Sequence, residues 1–389
     1  MAVDESHRAD GVFEGGGVKG IAFAGAISAA ERDAGVKEWV NVAGTSAGSI
    51  VAALLVCGYD AAGLQKLLAA AKYSRFADTG PGGMWLGGLF NAVFRLRGMA
   101  PGKYFLEWMG EQLAASPLAK ELGKTELTFA DVKRRDLPPK EDIPGITDAK
   151  YERAKYRLHV IGSDVTTARM IIMPDDLPDY TDADGKAFDK DTFPVVEAVR
   201  MSMSYPFLFT PVVLHREGKP VYVVDGGLLS NFPIWLFDSP NPKRPTLGFR
   251  LHGGASVDEG LPYRKIPRPF WEVPLLKAMF SAATEAWDRQ QMEQVVSART
   301  VSIPTHQIST TDFGLTKADA DSLYAWGVNA AHDFFTAPDQ QAYLNEFGQT
   351  VAQPETAAVA TTWDGEAPER FPIPGRQLKS MPPKVRPVI

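Results

Sequence analysis

Cysteine is almost absent from this chain: its 389 residues hold one, Cys57. That excludes an intrachain disulfide and a cysteine-based zinc cluster, and it fits a reducing compartment. Long apolar runs are missing too. The longest, Ser49–Tyr59, ends at Asp60 and is too short to cross a bilayer. The opening MAVDESHRAD has neither the basic region nor the apolar region of a secretory signal. A basic excess is also lacking. Lys and Arg number 41 against 47 Asp and Glu, a net charge of −6, which argues against a nucleic-acid partner. No internal repeat is visible. These absences predict a soluble, cytoplasmic protein, with export by a system that needs no signal peptide as the alternative.

What remains is an ordinary globular composition, 45% hydrophobic and 23% charged, which rules out a largely disordered chain. The charge is uneven. Residues 174–191 carry seven Asp and two Lys, so one stretch accounts for nearly all of the net charge. Strand-like and helix-like segments alternate. A short strand (Val12–Phe13) runs through a glycine cluster into a helix from Val18 to Arg32. A second strand (Trp39–Ala43) runs through another glycine-flanked turn into an apolar helix, Ala47–Cys57. Asp60 reads as the cap of a further helix reaching Lys72. Strands are expected at Tyr156–Gly162, Ala168–Met173, Val212–His215, Val221–Val224, Thr246–Leu251 and Arg299–Ile303. Helices are expected at Lys103–Ala115, Phe193–Ser202, Trp271–Ser297 and Lys317–Phe335. The pattern predicts a three-layer α/β/α sandwich on a mostly parallel sheet.

Two glycine-rich turns stand out. Gly44-Thr45-Ser46-Ala47-Gly48 follows an apolar strand and opens a helix, so Ser46 would project above the sheet edge as a nucleophile. The Ala47 N–H and the helix N-terminus would then face an oxygen that becomes negative. The alternative is an ordinary strand–helix turn with Ser46 as the cap. Gly15-Gly16-Gly17-Val18-Lys19-Gly20 formally matches a dinucleotide fingerprint, but the next strand ends Val42-Ala43-Gly44-Thr45 without the acid a ribose needs. The turn is better used as further backbone donors beside Ser46. Lys19 either adds a positive charge there or is solvated on the first turn, and solvation is the simpler reading.

A base for Ser46 is sought among the acids and the six histidines. Only His252 sits at a strand end followed by glycines. Asp225 closes the strand Val221–Val224 and opens Asp225-Gly226-Gly227, which puts a carboxylate at the sheet edge with no bulky neighbour. A plain β-turn aspartate is the competing explanation.

Taken together, Gly15–Gly20, Gly44–Gly48 and Asp225-Gly226-Gly227 resemble the three signatures of the patatin-like phospholipases, in that order. Arg200–Phe207 and Asn231-Phe232-Pro233 fit the same pattern. The resemblance implies a lipid acyl hydrolase working through a Ser–Asp dyad on phospholipid or lysophospholipid, at a transient membrane contact. Ser46 would be the nucleophile and Asp225 the general base and later acid. Gly15, Gly16, Gly17 and Ala47 would supply oxyanion donors, with Val18, Lys19, Gly20, Gly44, Gly48, Gly226 and Gly227 as support. No cofactor and no metal is implied. The alternatives are an acyltransferase on the same fold, or a partner- or ligand-activated membrane-damaging effector. The expected organisation is an N-terminal extension (1–10), a catalytic core (11–240), an extension packed on it (241–336) and a Pro-rich extended or disordered tail (337–389).

Four features stand apart. Met84–Phe94 with Arg95 and Arg97 is either core or a lipid-facing lid. Trp271, Leu275, Met279 and Trp287 trace a helix face that reads as core, with a dimer or membrane face as the alternative. Asp182 and Asp184 before Gly185 weakly resemble a calcium loop, with Tyr180 in the wrong place for a ligand. Arg376, Lys379, Lys384 and Arg386 make the last residues basic.

Overall fold

The computed structural model describes residues 5, 7–76, 100–143, 145–206, 208–239, 242–253, 298–306, 308–310 and 312–349. The 84–97 segment, the helix expected over 271–297 and the basic C-terminal residues lie outside them.

Among the described residues, eight strands form one sheet: β1 (Arg8–Phe13), β2 (Glu38–Thr45), β3 (Leu158–Asp164), β4 (Arg169–Met173), β5 (Val212–Arg216), β6 (Lys219–Asp225), β7 (Thr246–His252) and β8 (Thr300–Pro304). Their order is β5-β6-β3-β2-β1-β7-β8, with β4 also on β3. The run β3-β2-β1-β7-β8 is parallel, while β4, β5 and β6 pair antiparallel. The fold is the expected α/β sandwich with a mostly parallel central sheet. β1 begins four residues before the expected strand and is buried along its length. Its polar start stays inside because Arg8 meets Glu5, Glu38 and Asp136 in ion pairs.

Helices are α1 (Ile21–Asp33), α2 (Ala47–Val56), α3 (Ala61–Ala70), α4 (Lys103–Ala114), α5 (Pro117–Leu122), α6 (Asp148–Ala154), α7 (Val195–Ser202), α8 (Lys317–Thr336) and α9 (Pro338–Gln349). Asp60 caps α3 by accepting the Gly63 N–H at 2.8 Å, as the sequence predicts. Every residue of α2 is buried, which matches its uniformly apolar sequence. Alternate strand residues divide the core. Phe13, Val42 and Val160 join the large helix-covered cluster. Val12, Ala43 and Ile161 face a smaller one closed by Phe232, Ile234 and Leu236.

Two segments differ from expectation. β7 and β8 fall in the stretch expected to be an extension, yet β7 pairs directly with β1 at the centre of the sheet. The strand Thr246–Leu251 is apolar enough to be buried on both faces, which is what a central parallel strand requires. α9 occupies the beginning of the segment expected as an extended tail. Its polar, half-exposed sequence carries no strong helical stripe, and the helix follows α8 after a break at Ala337.

Candidate active site

β3 explains why distant parts of the chain meet. β2 pairs with β3 residues 158–161 and β6 pairs with residues 162–164, while β4 spans 160–164. A strand has two sides, so β4 occupies one and β2 and β6 share the other, end to end. Thr45 pairs with Ile161 and Asp225 with Gly162. Ser46, the next residue after β2, therefore emerges where β6 ends.

Ser46 has φ 52° and ψ −122°, a left-handed backbone that an L residue adopts at a cost. Its side chain does not cap α2. The cap alternative thus fails, and the hydroxyl is left to other partners. The turn is held by its backbone instead. The Ser46 N–H donates to Ser202 Oγ at 2.9 Å, and the Ser46 carbonyl accepts Ser49 Oγ at 2.6 Å. Close approach explains the flanking glycines. A methyl group on Gly44 would lie 2.2 Å from Gly48 O, and one on Gly48 would lie 2.2 Å from Phe13 O.

Asp225 is 2% exposed. Its N–H donates to Ser204 O at 2.9 Å. Oδ1 accepts the Gly227 N–H at 2.8 Å, while Oδ2 is buried and closes no hydrogen bond of full geometry. Burial pushes the carboxyl up to about 6, against the pull of the neighbouring Ser46 hydroxyl and the Gly227 N–H. That hydroxyl is thus near enough to favour the charged carboxylate, yet not aligned on it. Resting contacts of this kind commonly tighten when substrate binds.

The first glycine turn lies beside them. A methyl on Gly15 would come 3.3 Å from Ser46 Cβ, and Gly20 packs against Ala47. Among the described residues, the N–H groups of Gly16, Gly17 and Ala47 donate to no acceptor. Gly15 departs from expectation. Its N–H donates to Asn231 O at 3.2 Å, so it provides clearance rather than a donor. Val18 is buried, with its N–H on Thr310 O at 3.2 Å, and Lys19 is half-buried in the short helical turn Gly17–Gly20. Gly226 backs onto Ile161 O. His252 ends β7, and β1 separates that strand from β2. Burial lowers its pKa, and the charges of Arg250, His306 and Lys19 lower it further.

Three supporting residues escape a sequence reading. Glu14, 4% exposed, accepts the Leu251 N–H at 2.5 Å and Arg250 Nε at 3.3 Å. Asn231 Nδ2 donates to Glu14 Oε1 at 3.3 Å and to Gly15 O at 3.4 Å, and its Oδ1 stands over both Gly15 and Gly227. Arg200, buried on α7, donates to Ser204 Oγ at 2.5 Å and to the carbonyls of Pro101 and Thr210. Only Asn231 and Arg200 had a signal, as members of motifs without an assigned role. In the acidic stretch, Asp182 Oδ1 accepts the N–H groups of Asp184 and Lys186, an ordinary turn. No group of three acidic, His or Cys side chains suited to a metal occurs among the described residues.

The family model of the patatin-like phospholipases matches residues 11–238. The protein YqhO of Bacillus subtilis (strain 168) is 33% identical over 319 residues, which is 82% of this chain and 94% of that one. The protein R571 of Acanthamoeba polyphaga mimivirus is 36% identical over 76 residues, 20% of this chain and 24% of its own length. Among solved structures, VipD from Legionella pneumophila aligns with TM-score 0.47 and 16% identity over 85% of this chain and 67% of its own. The type III effector protein ExoU aligns with TM-score 0.43 and 18% identity, over 85% of this chain and 53% of its own. The match across the residues that build the Ser46–Asp225 junction, together with the relative aligned over four-fifths of the sequence, shows that this chain belongs to the patatin-like phospholipase family.

Proposed function

We propose that the chain is a serine lipid acyl hydrolase, of phospholipase A or lysophospholipase type, that works through a Ser46–Asp225 dyad. The observation that carries this reading is the end-to-end meeting of β2 and β6 on β3. It sets an uncapped serine on a left-handed turn beside a buried carboxylate. An ordinary exposed carboxylate is too weak a base for a serine hydroxyl; desolvation makes Asp225 more basic while leaving it ionised at neutral pH.

In the first half-reaction, Asp225 accepts the Ser46 hydroxyl proton as Oγ attacks the ester carbonyl carbon. The carbonyl oxygen becomes the oxyanion, received by the N–H groups of Gly16, Gly17 and Ala47. Each such donor is worth ~3–4 kcal/mol in related acyl-transfer sites. The intermediate collapses by breaking the bond to the lipid alcohol, which leaves with the proton from Asp225. Water then gives its proton to Asp225 and attacks the acyl-enzyme, and the fatty acid leaves as Ser46 regains its hydrogen.

A fluorophosphonate ester tests the assignment. Peptide mapping is expected to find the adduct on Ser46, with no labelling of Ser46→Ala. Mass spectrometry of a mixed phospholipid panel is expected to show free fatty acid and lysolipid. An adduct elsewhere would overturn the reading.

A further inference from the structure

Among the described residues, three large apolar side chains are markedly exposed: Val165 at 43%, Val213 at 50% and Tyr222 at 48%. They form one patch. Val213 and Tyr222 are direct partners across β5 and β6, and the Val165 N–H donates to Tyr222 O at 3.0 Å. The next pair, Leu214 and Val221, turns the other way and is buried. The hairpin thus has a core face and an unpartnered apolar face, as strand alternation requires.

Its position is set by register. Asp164, the last residue of β3, pairs with Val223, so everything from Tyr222 back to Lys219 extends past the edge of the sheet from which Ser46 emerges. At the strand rise, the four residues from Tyr222 to Lys219 carry the hairpin about 13 Å beyond that edge. Glu217 and Gly218, both left-handed, close its tip. The charges there are mixed. Arg216, Glu217 and Lys219 make the tip, and the bridge between Thr181 and His215 brings the turn of Asp182, Asp184 and Lys186 alongside. An anionic surface would gain little from that balance, whereas apolar side chains flanked by a tyrosine suit the interface of a neutral bilayer.

We propose that the exposed face of the β5–β6 hairpin, built from Val165, Val213 and Tyr222, docks on a zwitterionic phospholipid bilayer at the sheet edge from which Ser46 emerges. The inference deepens the hydrolase reading and depends on it for the bilayer being where substrate lies. The hairpin carries Asp225 at its root: Asp225 shares the buried face of β6 with Val221 and Val223, while Tyr222 stands on the other face, three residues further out past the sheet edge.

The full-length chain offers a direct test. Cys57 is buried and its thiol is pushed up to about 12, so Val213→Cys can be labelled selectively with an environment-sensitive dye. With phosphatidylcholine vesicles, the dye emission is expected to shift to the blue and rise at least ~2-fold, as on transfer of a group into an interface. Glu121→Cys, on the short helix beside the far end of α2, is expected to give no such change. The response should persist in the Ser46→Ala background, so failure of the hydrolase reading would leave the docking result standing. The paired variant Val213→Ser with Tyr222→Ser is expected to lose at least ~10-fold of vesicle hydrolysis, mainly through KM, while a monomeric soluble ester is cleaved within about 2-fold of normal. An absent dye response, or one seen only with anionic vesicles and abolished by salt, overturns the proposal. So does a response to protein concentration without vesicles, which would mark a contact with a second copy. If soluble-ester activity collapses in the paired variant, the dye measurement decides alone.

Discussion

Ser46 directly follows β2 and Asp225 ends β6, two strands that meet head to head along one side of β3, because Thr45 pairs with Ile161 and Asp225 with its neighbour Gly162. The spacing of the proposed reacting pair is therefore a matter of hydrogen-bond register in a rigid sheet. A site held this way is more precise than one carried on mobile loops.

Removing either member should stop the chemistry. Ser46→Ala and Asp225→Asn are each expected to lower kcat on a soluble ester at least ~10³-fold, with unchanged circular dichroism. By contrast His252→Ala should keep activity within about 5-fold, since β1 separates its strand from that of Ser46. Collapse of activity in the folded histidine variant would favour a Ser–Asp–His arrangement.

The acid limb of the pH profile should belong to Asp225. The base must be ionised, so kcat/KM is expected to rise with pH through about 6 and then level off. Stability should move the opposite way. A carboxyl whose folded pKa is raised contributes fully below its unfolded value near 3.8 and loses that contribution as pH climbs through about 6. Asp225→Asn is accordingly expected to unfold at higher temperature than the parent at pH 8, with the difference shrinking by pH 4. The linkage amounts to roughly 2–3 kcal/mol at most. Thermal melts at both values check the sign.

Asn231 links the two loops of the site, touching Gly15 on one side and Gly227 on the other. Asn231→Ala is expected to cut kcat about 10–100-fold while costing ~1–2 kcal/mol of stability. Asn231→Asp would set a second carboxylate against Glu14 and near Asp225, so its acid limb should move to higher pH. A pH–rate profile separates this from simple loosening of the fold.

Ser202 tests the support of the strained turn. Ser202→Ala leaves the Ser46 N–H without its 2.9 Å acceptor, an expected cost of ~1–3 kcal/mol in urea unfolding. Restored stability with Ser202→Thr would show that the hydroxyl, rather than the volume, is what matters.

Much of the fold and the outline of the site was legible because short-range rules decide them. Asp60, the apolar run of α2, and the glycines around Ser46 all express local geometry, and the structure puts them where propensity and turn chemistry require. What stayed hidden depends on distant partners. Nothing in Thr246–His252 names β1 as its neighbour, because an apolar run marks a buried parallel strand without saying which strand it pairs with. The Gly15 N–H looked like a donor until Asn231 O was seen to accept it. Glu14 belongs to no motif, and only the return of β7 makes it a buried acceptor for Leu251 and Arg250.

The junction on β3 also bears on when the chain becomes chemically active. As the polypeptide leaves the ribosome, the segment bearing Ser46 emerges long before β3 and longer still before β6. Until both have paired, the serine has no neighbouring base, and the newborn chain carries an inert hydroxyl on a glycine-rich turn. If the proposed dyad holds, hydrolytic competence waits on the long-range pairing of β6 with β3, so a product stalled or truncated before β6 carries the serine without its base.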